Sequence, residues 1–457
     1  MVSVGKKEAM LRDIAQYIDR GTILLGDKIK EDYQHDAGTL LDHYKPDAVV
    51  FPRSAKDVAW VLRLANRYRI PVTPRGGGTG LAGAAVPIEG GILLDMKNMN
   101  HILAIDTKGY YAVVEAGVRT SDLQAEAAKK GLLYAGDPCS NDSCEIAGNI
   151  ATNAGGNRAV KYGVTADQIY SLEVVTPLGE VVSLGGRVKK NATGYNLLRL
   201  IAGSEGTLGI VTKATLKLYP LAAYMPTYLV VADKNVAISL VERLCDFSQL
   251  PVVSLEIIDE KTAKDMERYQ QKNIFSKAEG TCLLIQLEAY DEKDLKYKQS
   301  LLQRILSERE IKLFQIACPD VWKARRAWGK AVRSINGRSY AEDVVVPVDT
   351  LHTFLAIINE MGRKYNYEFR FAGHAGDGNM HLAVLPGDDD YGQAAYREEL
   401  YSRIYALGGR LSGEHGIGYK RKAFLEKLAS PMELELMKKI KLAWDPNSIL
   451  NPGKIFS

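Results

Sequence analysis

Apolar and polar positions along the 457-residue chain follow two periods in turn. Ala55–Arg69 carries apolar residues at Val58, Val61, Leu62 and Ala65, the three-to-four spacing of an amphipathic helix. Ile210–Leu218 alternates apolar and polar residues, the two-residue period of a half-buried strand. Short apolar runs predict further strands at Ala48–Phe51, Ile70–Thr73, Ile92–Met96, Tyr111–Ala116, Ser171–Val175 and Glu180–Ser183, with Pro177-Leu178-Gly179 turning between the last two. Ser121–Lys130 predicts a helix capped by Ser121 and ended by Gly131. Residues 1–45 read as polar and helical, with Ile14, Tyr17 and Ile18 on one face. Together these predict a mixed α+β fold, not a clean βαβ series. After Tyr219-Pro220 the character changes. Val236–Phe247 and Asp291–Glu310 predict helices, and Val252–Ile258 and Thr281–Glu288 predict strands. Helices laid on one face of an antiparallel sheet would suit this pattern.

This length exceeds one hydrophobic core, so several domains are expected: residues 1–220, 221–411 and a segment 412–457 that returns to the first. A content of 46% hydrophobic and 25% charged residues is that of a globular protein. The net charge of +4 comes from 59 basic and 55 acidic residues with no basic tract, which argues against a nucleic-acid partner. No apolar run approaches the roughly 20 residues of a membrane span, and the first residues lack the apolar core of a signal peptide. Cys139, Cys144, Cys245, Cys282 and Cys318 are scattered and odd in number, the pattern of reduced thiols in a cytoplasmic protein. Cys139 and Cys144 read as loop or core thiols, since two cysteines alone do not hold an iron–sulfur cluster.

The first candidate for chemistry is Pro74-Arg75-Gly76-Gly77-Gly78-Thr79-Gly80-Leu81-Ala82-Gly83, directly after a strand. A loop with so few Cβ atoms turns its N–H groups onto an anion and lets a phosphate approach the backbone. Gly78, Gly80 and Gly83 match a dinucleotide fingerprint, but Pro87 and Gly90-Gly91 interrupt the helix that a Rossmann unit needs. The next strand also begins too soon for a crossover of normal length. Ile146–Asn157 is a second stretch of small residues, read either as a seat for a planar ligand or as close backbone packing.

The second candidate is Phe369–Leu385, where Asp377-Gly378 forms a favoured two-residue hairpin turn between strand-like runs. A turn centred there places His374 directly opposite His381, with Cβ atoms about 4.5–5.5 Å apart. Such a pair is either hydrogen-bonded or shares a metal ion. Gly413-Glu414-His415-Gly416 adds a carboxylate and an imidazole in a short loop. Two histidines and one carboxylate form a facial set that leaves positions open on zinc, manganese or iron.

The run Arg75–Gly83 resembles the flavin loop of the FAD-linked oxidases of the vanillyl-alcohol oxidase superfamily. The similarity extends to Gly203-Ser204-Glu205-Gly206-Thr207-Leu208-Gly209, to the H-x-G-D-G-N-x-H pattern of His374–His381, and to Asn451-Pro452-Gly453-Lys454. Within the superfamily the chain is most similar to the branch of D-lactate dehydrogenases, glycolate oxidase flavoprotein subunits and D-2-hydroxyglutarate dehydrogenases. The resemblance implies a PCMH-type FAD-binding domain and a second α+β cap domain. It implies flavin contacts at Arg75, Gly76, Gly77, Gly78, Thr79, Gly80, Gly83, Pro138, Gly148, Asn149, Thr152, Ala154, Gly155, Glu205, Gly206, Ile210 and Asn451. Thr79 stands where covalent relatives carry a flavin-linking histidine, so non-covalent FAD is expected. The usual Gly-Gly before Asn149 is Ala147-Gly148 here.

The resemblance also implies that His374, His381 and Glu414 bind a divalent metal and that His415 acts on the substrate, with Asn379 in its binding site. It matches Arg325, three residues after Trp322, to the position that binds the substrate carboxylate; Arg326 is the neighbouring alternative. Relatives acting on D-2-hydroxyglutarate carry a lysine in a K-Y-D run where this chain has Ala341-Glu342-Asp343, and Gly329 replaces a threonine. A short monocarboxylate is therefore expected over a dicarboxylate, with Lys330, Arg333 and Arg338 as residues that would compensate. With no second redox centre evident, electrons are expected to leave to an electron-transfer flavoprotein, an iron–sulfur subunit or a quinone. Two other readings predict different behaviour: a metal-dependent hydrolase would be colourless, and a non-catalytic flavin subunit would hold FAD that no hydroxy acid reduces.

Overall fold

The computed structural model describes residues 4–246, 250–276, 279–307, 310–335, 337, 339–386 and 393–457. The chain forms two compact units. One comprises Met1–Ala154, Val164–Leu221 and His415–Ser457, and the other Gly155–Gly163 and Ala222–Glu414.

The first unit starts with the helix Val4–Tyr17, which buries Met10 and Ile14 against the helix Ala55–Tyr68. Tyr17 is 66% exposed, and its ring centre lies 3.9 Å from that of Trp60 on the helix Ala55–Tyr68. The rest of the N-terminal segment is not helical. Short 3-10 turns and β1 (Ile23–Leu25) replace the expected helix, because Gly21, Gly26 and Gly38 break it and the chain runs close over the glycine loop. A Cβ at Gly38 would lie 2.3 Å from the Leu81 carbonyl oxygen. β2 (Ala48–Val50), β3 (Val72–Arg75) and β4 (Ile92–Asp95) complete a sheet of order β1-β2-β4-β3, in which β4 runs parallel to both β2 and β3. The segment between β3 and β4 contains no helix, so the glycine loop itself makes the crossover that the spacing argued against.

β5 (Ile102–Asp106), β6 (Tyr111–Glu115), β8 (Ile169–Val175), β9 (Val181–Gly185) and β10 (Ile210–Lys217) form an antiparallel sheet of order β5-β6-β10-β8-β9. β7 (Leu132–Leu133) pairs with β11 (Tyr219–Pro220). The helix predicted from Ser121 runs from Thr120 to Ala128, with Arg119 at its cap position. Ser121 Oγ donates to Asp122 Oδ1 at 3.4 Å and caps nothing. Ile440 and Trp444 of the C-terminal helix Pro431–Trp444 pack against the core of the second sheet. Beyond that helix, Val72 N–H donates to Ile449 O at 2.8 Å and Asn451 N–H to Val72 O at 2.7 Å, so the chain end runs along β3.

The second unit is built on β12 (Thr227–Ala232), β13 (Ser254–Ile258), β14 (Thr281–Gln286), β15 (Ile311–Ile316), β16 (Tyr340–Val345), β17 (Glu368–His374) and β18 (Asn379–Leu385). They form one antiparallel sheet, β15-β12-β14-β13-β17-β18-β16. Helices Glu260–Gln270, Val321–Arg326 and Trp328–Ile335 pack on the face carrying Leu229, Ile258, Leu284 and Ala372. The other face is covered as well: Gly362 of the helix Leu351–Tyr365 lies against the Phe369 ring, and Tyr396 of Gln393–Ala406 sits 5.9 Å from that ring. Helices therefore flank both faces rather than one. The cause is visible in β13 and β14, in which every residue is buried. No helix among the described residues is long and apolar enough to cross a membrane.

Candidate active site

In the second unit, the face of the sheet that carries three helices also carries a row of polar side chains. Glu256 on β13 is opposite His374 on β17, and Asp343 on β16 is opposite His381 on β18. The two histidines are not opposite each other. β17 and β18 pair His374 with Asn379 and Ala372 with His381, because the turn occupies Ala375–Gly378. Ala375–Asp377 forms a 3-10 turn and Gly378 closes it at φ +75°. The two-residue shift keeps both imidazoles on one face as diagonal neighbours, their ring centres 5.2 Å apart and perpendicular.

The Glu256 carboxylate is fully buried. It accepts from Arg325 Nε at 2.7 Å and from His374 Nδ1 at 2.6 Å. This bond takes the Nδ1 proton of His374, so in the neutral ring Nε2 presents its lone pair, and that atom is buried. Glu414 Oε1 lies 3.4 Å from His374 Nε2 and 3.3 Å from His381 Nε2. All three ligand atoms lie within 4.8 Å of one another. Asp343 organises the neighbouring loop: its Oδ1 accepts from Asn379 Nδ2 at 2.7 Å, and its Oδ2 from Ser412 Oγ and the N–H groups of Gly413 and Glu414 at 2.8–3.1 Å.

Electrostatics here favour charged forms against burial. Burial raises the Glu414 and Glu256 carboxyls, yet the imidazoles hold Glu414 well below its usual range, and His374 and Arg325 lower Glu256. Burial disfavours a charged His374, but Glu256 and Glu414 hold its pKa well above the ordinary value. Carboxylates held ionised in so buried a place favour positive charge beside them. Arg325 is buried beside Glu256, whereas Arg326 and Lys323 are exposed. Lys330 and Arg333 are exposed too, and Arg338 lies outside the described residues. Gly155 belongs to this unit, where a Cβ would come within 2.9 Å of Glu414 Oε2.

In the first unit the two glycine-rich stretches meet. A Cβ on Gly76 would sit 3.6 Å from Gly148 Cα, and one on Gly148 would meet open space. Gly77 lies under the Ser143 carbonyl, where a Cβ would come within 2.2 Å of the oxygen, and Gly83, at φ +80°, lies under the Tyr419 ring. Asp36 supports the loop by accepting the Gly83 N–H at 2.8 Å, and the Ala37 and Gly38 N–H groups bond the Gly78 and Gly80 carbonyls. Arg75 donates to the backbone carbonyls of His35 and Asp32 at 2.8 Å and, more weakly, to Ala85 at 3.4 Å, which braces the loop from behind. Thr79 Oγ1 lies 3.5 Å from Ser140 Oγ, in the segment that also holds Pro138. On the helix Ile146–Thr152, Asn149 is buried and donates to Thr120 Oγ1 at 2.7 Å, and Thr152 Oγ1 donates to Gly148 O at 3.3 Å. Ala154 O accepts from Thr165 Oγ1 at 2.7 Å. Gly206, at φ +68°, packs on Pro74, and Ile210 is buried in the apolar cluster of the first sheet. Asn451 Nδ2 donates to Ala84 O at 2.9 Å and Glu205 O at 2.7 Å, while its buried Oδ1 has no partner.

A profile described as FAD binding domain matches residues 46–185, and one described as FAD linked oxidases, C-terminal domain, matches residues 227–455. The chain belongs to the FAD-linked oxidases. It is 36% identical to a D-lactate dehydrogenase of Anaerostipes hadrus over 95% of this chain and 94% of that one. It is 34% identical to glycolate oxidase subunit GlcD of Bacillus subtilis, over 93% and 92%. It is also 34% identical to a D-2-hydroxyglutarate dehydrogenase of Stutzerimonas stutzeri, over 90% and 91%. The fold is that of p-cresol methylhydroxylase, with a TM-score of 0.82 at 18% identity over 99% of this chain and 97% of that one. This FAD-linked oxidoreductase thus carries an FAD-binding domain, which excludes the colourless hydrolase. The first unit fits such a cofactor, since it leaves open space at Gly148 and buried, unpartnered oxygens on Asn451 and Glu145.

Glu256, Asp343 and Glu145 did not emerge from sequence reasoning. Their signal was an acid inside or beside an apolar run: Val252–Ile258 holds Glu256, Val344-Val345-Val346 follows Asp343, and Ile146 follows Glu145.

Proposed function

We propose that this FAD-linked oxidoreductase oxidises a small D-2-hydroxy acid, D-lactate in the first instance, to the 2-oxo acid. The observation that carries this reading is the convergence of His374 Nε2, His381 Nε2 and Glu414 Oε1 beside buried Arg325. Two imidazoles and one carboxylate suit zinc, manganese or iron, and the Glu256–His374 bond is the outer-shell support such a ligand needs. Arg325, held at Nε by Glu256, binds the substrate carboxylate through its guanidinium. Asn379 is oriented for substrate by Asp343. His415 removes the hydroxyl proton as general base. A bound cation would lower the pKa of the hydroxyl. FAD held by the first unit would supply the two-electron acceptor for the hydride that leaves C2.

Substrate size is read from β16. On the face of β16 that carries Asp343, Ala341 stands where a lysine is expected in relatives acting on D-2-hydroxyglutarate, and β16 has no lysine or arginine for a second carboxylate. That supports a monocarboxylate, with glycolate as the nearest rival and D-2-hydroxyglutarate further off. The names of the relatives span these same substrates. Electrons then pass to a protein acceptor such as an electron-transfer flavoprotein or an iron–sulfur subunit, in the cytoplasm.

An anaerobic visible spectrum of the metal-supplemented holoprotein tests the reading. D-Lactate should bleach the flavin, and L-lactate should leave it oxidised. Bleaching by glycolate or D-2-hydroxyglutarate alone would reassign the substrate. Bleaching by none of the four would overturn the proposed activity.

A further inference from the structure

The signature residue Glu205 has a conformation and a bonding pattern that flavin contact alone does not explain. It sits at φ +51°, a left-handed backbone that residues other than glycine adopt only when their surroundings impose it. Those surroundings are visible on both sides. Its N–H donates to Ala151 O at 2.7 Å, on the second glycine-rich stretch, and its carbonyl accepts from Asn451 Nδ2 at 2.7 Å. The backbone pinned in this way aims the side chain at the loop that follows His415. One carboxylate oxygen accepts the Ile417 N–H at 2.7 Å and the other accepts the Gly418 N–H at 2.8 Å. Glu205 is 4% exposed, and Arg421 and Lys454 supply the nearby positive charge.

The loop is shaped around this carboxylate. Gly416 and Gly418 have φ values of +81° and +55°, and a Cβ on Gly416 would lie 2.8 Å from Glu205 Oε1. Gly418 also packs on the Ala82 carbonyl of the first glycine loop, and Ile455 N–H donates to Gly418 O at 2.9 Å. Two consecutive N–H groups bonded by the two oxygens of one carboxylate hold a peptide in both position and orientation.

We propose that Glu205 is the positioning residue of the His415 loop: its carboxylate clamps the Ile417 and Gly418 N–H groups and thereby sets His415 for proton removal. The inference rests on His415 being the general base. A glutamine in its place would keep one acceptor and turn an NH₂ group toward the other N–H, so one side of the clamp would become repulsive.

The test compares the E205Q, E205D, G416A and H415N holoproteins. It measures flavin content, the rate constant and substrate dependence of anaerobic flavin reduction, and amide exchange at residues 416–418. The probe is whichever of D-lactate, glycolate and D-2-hydroxyglutarate reduces the unmodified protein. E205Q should keep its FAD and its apparent substrate affinity within about two-fold, exchange faster at 416–418, and be reduced about 100-fold more slowly, the loss expected from misplacing a catalytic group by about 1 Å. A defect of folding alone would lower the amplitude of reduction and leave its rate constant unchanged. E205D, which keeps both acceptors, should recover part of the rate. G416A, which drives a Cβ into the carboxylate from the loop side, should reproduce the slow reduction, and it decides the matter if E205Q does not fold. Reduction of E205Q at the unmodified rate while H415N is inactive would overturn the clamp and leave His415 as the base. Loss of FAD from E205Q with unchanged exchange at 416–418 would also overturn it, making Glu205 a flavin ligand. Reduction of H415N at the unmodified rate would overturn the base assignment beneath it.

Discussion

Glu256 joins the two halves of the proposed chemistry with one carboxylate. Its Oε2 meets Arg325 and its Oε1 meets His374, so the proposed carboxylate-binding residue and a proposed metal ligand share one buried support. Replacing Glu256 with Gln leaves a buried guanidinium without its counter-charge. Breaking such a pair costs about 3–5 kcal/mol, and losing an outer-shell partner weakens metal binding about 10–100-fold. E256Q should therefore melt earlier than the unmodified protein and purify with less metal, while holding FAD as before, since Glu256 belongs to the second unit. Calorimetry with elemental analysis checks this; unchanged metal content would separate Glu256 from metal binding. At the same scale, Arg75 shows how a residue's neighbours decide its task. Its guanidinium lies beside a glycine loop and braces that loop by bonding the backbone carbonyls of His35, Asp32 and Ala85.

The hairpin β17–β18 shows what one turn does for an element. Its register depends on Ala375–Gly378 closing with Gly378 at φ +75°, where a Cβ would come within 1.9 Å of the Val346 carbonyl oxygen. G378A therefore combines left-handed strain with a backbone clash, for about 2–4 kcal/mol. The variant should lose metal and substrate-driven flavin reduction together, as His374, Asn379 and His381 all hang on this register. Its circular dichroism melt should fall by several degrees; an unchanged melt would mean that the turn relaxes freely. The register error in the sequence reading came from the same place. Asp377-Gly378 is a strong two-residue turn signal, but the turn begins at Ala375, which a local pattern cannot reveal.

Across the whole molecule, the pH dependence of stability should carry the mark of Glu145 in the first unit. Burial, with Asp95 nearby, pushes this carboxyl up to about 8, opposed only in part by Arg119, Lys97 and Arg75. A carboxyl with a raised pKa binds its proton more tightly in the folded state than in the unfolded chain. Its contribution is complete below about pH 4.5 and is lost as pH rises toward 8. E145Q removes that loss. In flavin-free protein the variant should match the unmodified chain near pH 5 and melt about 3 °C or more higher at pH 8.5, as differential scanning calorimetry would show. A gap independent of pH would assign the effect to packing.

Much of the molecule was legible before any coordinates, and the reason is local. Glycines at 76–80, the helical period of Ala55–Arg69, the alternation of Ile210–Leu218 and the acid–histidine pair at 414–415 are short-range patterns with short-range causes. They determined the strand and helix types, an anion-binding loop and the candidate metal ligands, and the family resemblance they carry implied the flavin. What only the tertiary structure decided is which distant residues share a neighbourhood. Glu256 meets His374 and Arg325, Asp343 meets the loop at 412–414, Glu205 meets Ile417 and Gly418, and residues 155–163 leave the first unit for the second. Each of these depends on strand order and on hydrogen-bond partners far apart in sequence, and a buried acid reveals its partner only once the sheet and the loops around it have closed.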